Sequence, residues 1–336
     1  MNNKNLLNSS GHTQQAAYIS LSLSLLLLIL KFWAYHVTKS QAVFSDAMES
    51  IVNVVSAFLG IVVVIVAARP ADQDHPYGHG KVEFFSAAFE GGLIAFAAIL
   101  ICAQAVQALW QGVELHELDF GILMILAAGV ANLILGLYLL WVSKKHKSIT
   151  LHASSQHVIS DFWTSLAVVA GLIVVKFTKL SWLDPLVALI MGVNLAWTGF
   201  MLVRRSIGGL LDAEDKEILK NLLVIIEKHR PEGIIQVHHC RVMRSGNYHH
   251  IDAHVVIPEF WNIAEAHDQT YLFEEELMKD YPYGGELHLH ADPCRRAYCQ
   301  ACEVKECPVR KEQFITRRQL SIEELTNPEE PKEFTN

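Results

Sequence analysis

QAVFSDAMESIVNVVSAFLGIVVVIVAA, residues 41–68, is apolar and long enough to cross a bilayer of roughly 30 Å as a helix of about 20 residues or more. Its first half nonetheless carries Asp46, Glu49 and Asn53. A carboxylate near a bilayer centre is costly unless something offsets it. These groups therefore call for partners elsewhere in the chain.

The 336-residue chain is 51% hydrophobic with a mean hydropathy of +0.25, and that average hides a split near residue 205. Before it come long apolar runs; after it comes an acidic, His-rich segment of soluble character. The first 15 residues lack the basic start and small-residue cleavage site of a signal peptide, so the run from Ala16 is expected to be a retained span. Six spans are expected, at about 16–36, 41–68, 82–112, 118–142, 151–178 and 182–204. Loops on one side carry Lys4, Arg69, Lys81, Lys144, Lys145, Lys147, Arg204 and Arg205. Those on the other carry Lys39, Lys176 and Lys179 beside the acidic Glu114, Glu117 and Asp119. Basic residues mark the cytoplasmic side, which places both termini there. The net charge of −8 lies mainly in the C-terminal part, and no basic patch of the kind that binds nucleic acid occurs.

The fifth span, LHASSQHVISDFWTSLAVVAG (151–171), carries His157 and Asp161 four residues apart, as Glu49 and Asn53 are in the second. Residues at i and i+4 share a helix face. Two helices each offering such a pair can bring an imidazole, two carboxylates and an amide oxygen to one point. A single buried Asn or His in a span is ordinarily interhelical glue, but two pairs on separate helices favour a ligand set. Four N/O ligands in a tetrahedron suit zinc, and with adjustment cobalt or ferrous iron; calcium takes six to eight oxygens. The two carboxylates would neutralise a divalent ion. Asp46, three residues before Glu49, is read as an outer or entrance group.

In the loop RPADQDHPYGHGKVE (69–83), Asp72, His75 and His79 lie together among Pro and Gly and form a plausible small metal site. Further on, residues 212–230 show helical periodicity with an acidic first turn. IIQVHHCRVM and HHIDAHVVIP alternate as strands about a turn at Ser245–Asn247; 263–281 reads as a helix and GELHLHADP as a third strand. The order α-β-β-α-β predicts one sheet with helices on one face. Alternation places His238 and Cys240 on one strand face, Asp252 and His254 on another pair's face, and His288 with His290. So many histidines on one sheet favour metal binding.

Four of the six cysteines fall in CRRAYCQACEVKECP: Cys294, Cys299, Cys302 and Cys307. In a reducing compartment disulfides are disfavoured. The cluster reads as a zinc site, the preferred alternative, or as an iron–sulfur cluster, or else as free thiols. The final Cys-Pro resembles the end of ferredoxin motifs, although the spacing differs. Cys102 reads as core. The acidic end, residues 311–336, is expected to be solvated and disordered.

Together these residues resemble the cation diffusion facilitators, and the zinc exporters among them, over about residues 15–293. The resemblance rests on the paired sites of spans two and five, HPYGHGK followed by Glu83, LDPLVALIMG at span six, and LHLHADP. It implies a polytopic α-helical membrane protein: a cytoplasmic segment 1–15, a six-helix transport domain 16–206, a cytoplasmic ferredoxin-like, metallochaperone-like α+β domain 207–293, the cysteine cluster 294–310 and the tail 311–336. It places a transport site on Glu49, Asn53, His157 and Asp161 and a loop site on Asp72, His75 and His79. A cytoplasmic-domain site falls on His238, His254, His290 and Asp292 with His267 nearby, and Lys81 and Asp212 form a charge pair. The implied protein is an inner-membrane homodimer in lipid, exchanging a divalent cation for protons by alternating access: a secondary transporter and no enzyme. Zinc is the first choice of cargo, with iron, cobalt, nickel or manganese as others, and metal is also expected as a structural or regulatory ligand. The chain departs from the family at Glu49 and Asn53, where His or Asp and then Asp are usual, and at the cysteine cluster. The neutral Asn53 favours an alternative, a membrane metal sensor or scaffold that moves no ion. A membrane redox enzyme lacks any flavin or haem signature.

Overall fold

Lipid offers backbone groups no hydrogen bonds, so apolar runs of this length cross it as helices. The computed structural model describes residues 3–146, 149–246 and 248–329. Lys147, Asn247 of the expected turn, and tail residues 330–336 lie outside the described residues. The chain divides into two compact units, Met1–Ile65 with Phe85–Ile207, and Val66–Phe84 with Gly208–Asn336.

The first unit is built from α1 (Asn3–Thr38), α2 (Gln41–Ala67), α3 (Val82–Gln111), α4 (Leu118–His146), α5 (Ile149–Thr178) and α6 (Leu183–Leu210). Each holds a segment long and apolar enough to span a membrane, six among the described residues. Phe44 and Val52 of α2 pack with Ile94 and Ile101 of α3 and Leu195 of α6. A second cluster joins Ala34 of α1, Val43 of α2, Ile125 of α4 and Leu172 of α5. Lipid is as apolar as these side chains, so close backbone approach matters more than burial from water. The crossing of α3 and α6 shows this: a Cβ added at Gly199 would sit 2.8 Å from the Gly91 carbonyl oxygen.

Asp184, at the start of α6, fixes the N-terminus of α2. Its carboxylate accepts from Ser40 Oγ at 2.5 Å, from the Gln41 N–H at 2.6 Å and from the Ala42 N–H at 3.3 Å. The first N–H groups of a helix have no partner within it, and a carboxylate there also complements the helix dipole. The Asp of LDPLVALIMG is therefore an anchor for the helix that carries Glu49 and Asn53.

The second unit contains α7 (Lys216–His229), β1 (Gln236–Ser245), β2 (Tyr248–Ile257), α8 (Ile263–Asp280), β3 (Gly284–Pro293) and the short α9 (Ile322–Thr326). Asp215 and Asn262 cap α7 and α8 through their side chains. The sheet order is β1-β2-β3, with β1 and β2 antiparallel and β2 and β3 parallel. The parallel step needs a crossover, which α8 supplies. Leu219, Leu222, Ile226, Ile251, Val255 and Phe273 form the core between helices and sheet.

Two expectations are corrected here. First, His238 and Cys240 do not share a strand face. The register shifts between His238 and Arg241, with His239 at φ 49°. That bulge resets the alternation. Cys240 turns into the hydrophobic core while His238 stays on the histidine side. Second, residues 311–329 do not form a solvated tail. Ser321 and Glu324 make a capping box for α9, and Leu325 and Leu320 bury in the core of the unit. Arg230 donates to the Arg318 carbonyl at 2.6 Å, Arg317 donates to the Arg230 carbonyl at 3.0 Å, and the Leu320 N–H donates to Glu227 at 2.7 Å. The His239 N–H, freed from the ladder by the bulge, donates to the Asn327 carbonyl at 3.0 Å. Two leucines in an acidic stretch suffice as anchors, and composition alone hides them.

Candidate metal centres

In the first unit α2 and α5 bring three of the four expected residues together. Asn53 Nδ2 donates to Asp161 Oδ2 at 2.7 Å, and Asn53 Oδ1 lies 2.9 Å from His157 Nε2. The amide thus links imidazole and carboxylate across the two helices. An amide oxygen accepts, so His157 carries its proton on Nε2 in this arrangement. A metal ion taken by His157 Nε2 must displace the Asn53 oxygen and send that proton away. Glu49 lies half-buried one turn before Asn53, and no hydrogen bond holds it among the described residues.

Asp46 has a different partner from the one expected of an outer ligand group. Its Oδ2 is 2.9 Å from Lys31 Nζ of α1, with both side chains almost fully buried. Its Oδ1 accepts from Ser165 Oγ of α5 at 2.7 Å. Lys31 offsets the charge of Asp46, which leaves Glu49 and Asp161 as the carboxylates of α2 and α5 without a cationic partner of this kind among the described residues. Lys31 was absent from the sequence reading. A lone lysine in LLLLILKFWAYH was the signal, because an ionisable residue inside a span is rarely idle.

In the second unit the loop residues converge as expected from their spacing. Asp72 Oδ1 is 3.2 Å from His75 Nδ1, and Asp72 Oδ2 is 3.6 Å from His79 Nε2. Backbone donation from His75 first, and the imidazoles after it, hold the Asp72 carboxyl below its ordinary range. The carboxylate is thus kept in the form that ligates. Lys81 Nζ donates to Asp212 Oδ2 at 2.8 Å in the same unit. His250 Nε2 approaches the Tyr77 carbonyl at 3.4 Å, so the loop rests on the β1–β2 hairpin.

On the sheet, His238, His254 and His290 occupy one cross-strand row of β1, β2 and β3. Asp292 lies among them: 2.9 Å from His254 Nδ1, 3.6 Å from His238 Nε2 and 3.4 Å from His290 Nε2. Burial pushes the His238 imidazole below its ordinary pKa, against the pull of Asp292, and so favours the neutral form a metal needs. His238 Nδ1 is buried without a hydrogen-bond partner, while Nε2 is the ring nitrogen that faces Asp292. Ligand atoms of His238, His254 and Asp292 lie within 4.8 Å of one another, as do those of Asp72, His75 and His79. His267 does not join them; it is exposed on α8 beside Tyr271. The reason is helical: α8 packs on the core side of the sheet through Phe273 and Leu277, away from the histidine row. His239, one of the histidines that crowd this domain, has its ring centred 4.9 Å from that of His254 because the bulge turns it there.

Comparison with known proteins adds to this geometry. A model of the cation efflux transmembrane domain matches residues 17–211, and one of the cation efflux protein cytoplasmic domain matches residues 214–294. The chain belongs to the cation efflux family, the cation diffusion facilitators. An uncharacterized transporter of Synechocystis sp. is 34% identical over 279 residues, 82% of this chain and 89% of its own. The cation-efflux pumps FieF of Yersinia pestis and Serratia proteamaculans are 28% and 26% identical, over 83% and 84% of this chain and 92% and 93% of theirs. This cation efflux protein is therefore a multi-pass membrane transporter with a C-terminal α+β domain. Both matched regions end by residue 294, so Cys299, Cys302 and Cys307 lie beyond what the family models cover.

Proposed function

We propose that this protein exports a divalent cation, zinc before its first-row neighbours, in exchange for protons by alternating access. It would act as a homodimer in the inner membrane with both termini in the cytoplasm. The observation that supports it most is the Asn53 bridge between His157 and Asp161 on two membrane-spanning helices. Those two groups, with Glu49, supply the nitrogen and oxygen donors a tetrahedral zinc site uses. They are also groups that release protons when metal binds and regain them when it leaves. Compensation of Asp46 by Lys31 leaves the site matched to a doubly charged ion. The loop site and the histidine row lie in the second unit, where bound metal would bridge or bias the dimer and so regulate transport.

The test is metal uptake into proteoliposomes under a pH gradient, with a panel of zinc, ferrous iron, cobalt, nickel and manganese. Zinc accumulation that collapses with the gradient, and that His157→Ala removes, is the expected result. Binding of metal with no gradient-driven accumulation of any ion would instead establish the sensor reading, which the neutral Asn53 favours.

A further inference from the structure

The four cysteines line one cavity of about 230 Å³ at the end of β3, together with Tyr298 and Ile235. Cys294 and Cys302 pack with Ile235, Val256 and the fully buried Tyr298, so the cavity has a firm apolar floor. All four are free thiols; Cys302 is buried and the other three are half-buried. The walls are built around them. Arg310 donates to the carbonyls of Cys299 and Cys302 at 3.0 Å each and to that of Val304 at 2.5 Å, pinning the loop that carries them.

The size of the cavity bears on its occupant. A single zinc ion with Zn–S bonds of about 2.3 Å draws four sulfurs to about 3.8 Å from one another. Among the described residues no three of these sulfurs lie within 4.8 Å of one another. They stand around a space rather than around a point. An iron–sulfur cluster, with several iron and sulfide atoms between its cysteines, keeps its ligands apart and fills such a space. Arg295, Arg310 and Lys311 line the cavity with Glu259, and Arg296 there is paired with Glu312 at 2.7 Å; the remaining surplus of cations suits the net negative charge of a thiolate-ligated cluster. Cys307 is followed by Pro308, as the last ligand is in some ferredoxin motifs.

We propose that Cys294, Cys299, Cys302 and Cys307 hold an iron–sulfur cluster that ties the C-terminal extension to the edge of the sheet. The proposal is independent of the transport reading: it concerns residues outside the helices and would stand if no ion crossed the membrane. It is tested on the full chain, purified anaerobically and, in parallel, reconstituted with ferric iron, sulfide and a dithiol, the dithiol supplying the electrons for any ferrous sites. The expected protein is brown, and carries iron and acid-labile sulfide in equal amounts, about two or four of each per chain. Its visible absorbance should bleach on reduction. Cys299→Ser with Cys302→Ser should remove about nine-tenths of the bound iron and of the absorbance, whereas Cys102→Ser should leave both unchanged. Colourless protein after reconstitution would overturn the proposal. So would a single zinc ion per chain that is lost in the double variant, or iron without sulfide.

Discussion

Lys31 of α1 and Asp46 of α2 form a buried ion pair, Nζ to Oδ2 at 2.9 Å. Ser165 of α5 donates to the other oxygen of Asp46, so the pair ties three helices together. Removing one partner of such a pair strands the other charge, at a cost of about 3–5 kcal/mol. Lys31→Met is therefore expected to lower the thermal midpoint of the detergent-solubilised protein strongly, and Lys31→Met with Asp46→Leu to recover most of the loss. If the double variant is no more stable than the single one, the pair is not what holds these helices.

Asn53 cannot titrate, so in the proposed exchange only His157, Glu49 and Asp161 would trade protons for metal. Asn53→Asp adds a carboxylate next to Asp161, and repulsion between the two should keep one protonated until metal arrives. The expected outcome is about one more proton released per ion transported. Proton and metal fluxes measured together in vesicles decide it; an unchanged ratio would count against Asn53 as a determinant of stoichiometry.

Leu325 of α9 is fully buried among Leu219, Leu222 and Val237 of the second unit. Leu325→Ala should destabilise that unit by about 2–5 kcal/mol, the cost of a large-to-small change in a core. Truncation after Arg318 would remove Leu320, Leu325 and the Asn327 carbonyl at the bulge together. Hydrogen exchange should then show β1 losing protection, most of all at the His239 amide. A β1 that stays as protected as in the full chain would mean the extension is not part of the fold.

His249 is buried, with Nδ1 2.6 Å from the Tyr281 hydroxyl. Burial first, and nearby Arg244 second, hold its imidazole below the ordinary His range. The unfolded chain then binds the proton more readily than the folded one, so stability rises with pH in this window. The contribution is fully present above about pH 6.5, the unperturbed value, and is lost as pH falls through the depressed folded pKa. Exchange protection of β2, corrected for intrinsic rates, should decline from pH 7 to pH 5, and less steeply in His249→Gln. An equally steep decline in the variant would assign the pH dependence to other groups.

Much of this protein was legible from residue order alone. Hydrophobic runs delimit the membrane spans because a continuous apolar run of this length satisfies its backbone in lipid as a helix. Spacings of four put Glu49 with Asn53 and His157 with Asp161, because helical geometry is fixed. The loop triad Asp72, His75 and His79 follows from residues close in sequence, and the α-β-β-α-β order from periodicity.

Tertiary structure decided what periodicity cannot reach: which side chain of one element meets which of another. A helix repeat says that Asp46 faces inward, but only packing gives it to Lys31. Strand alternation puts His238 and Cys240 together until one inserted residue at His239 sends the cysteine to the opposite face. Composition marks the end of the chain as solvated until Leu320 and Leu325 find a core to enter. Four cysteines close in sequence announce a site, and it is the space between their sulfurs, set by Tyr298 beneath and Arg310 around them, that bears on what fills it. Local geometry is a property of the chain; contacts between distant segments depend on the whole balance of packing, and few residues reveal that in advance.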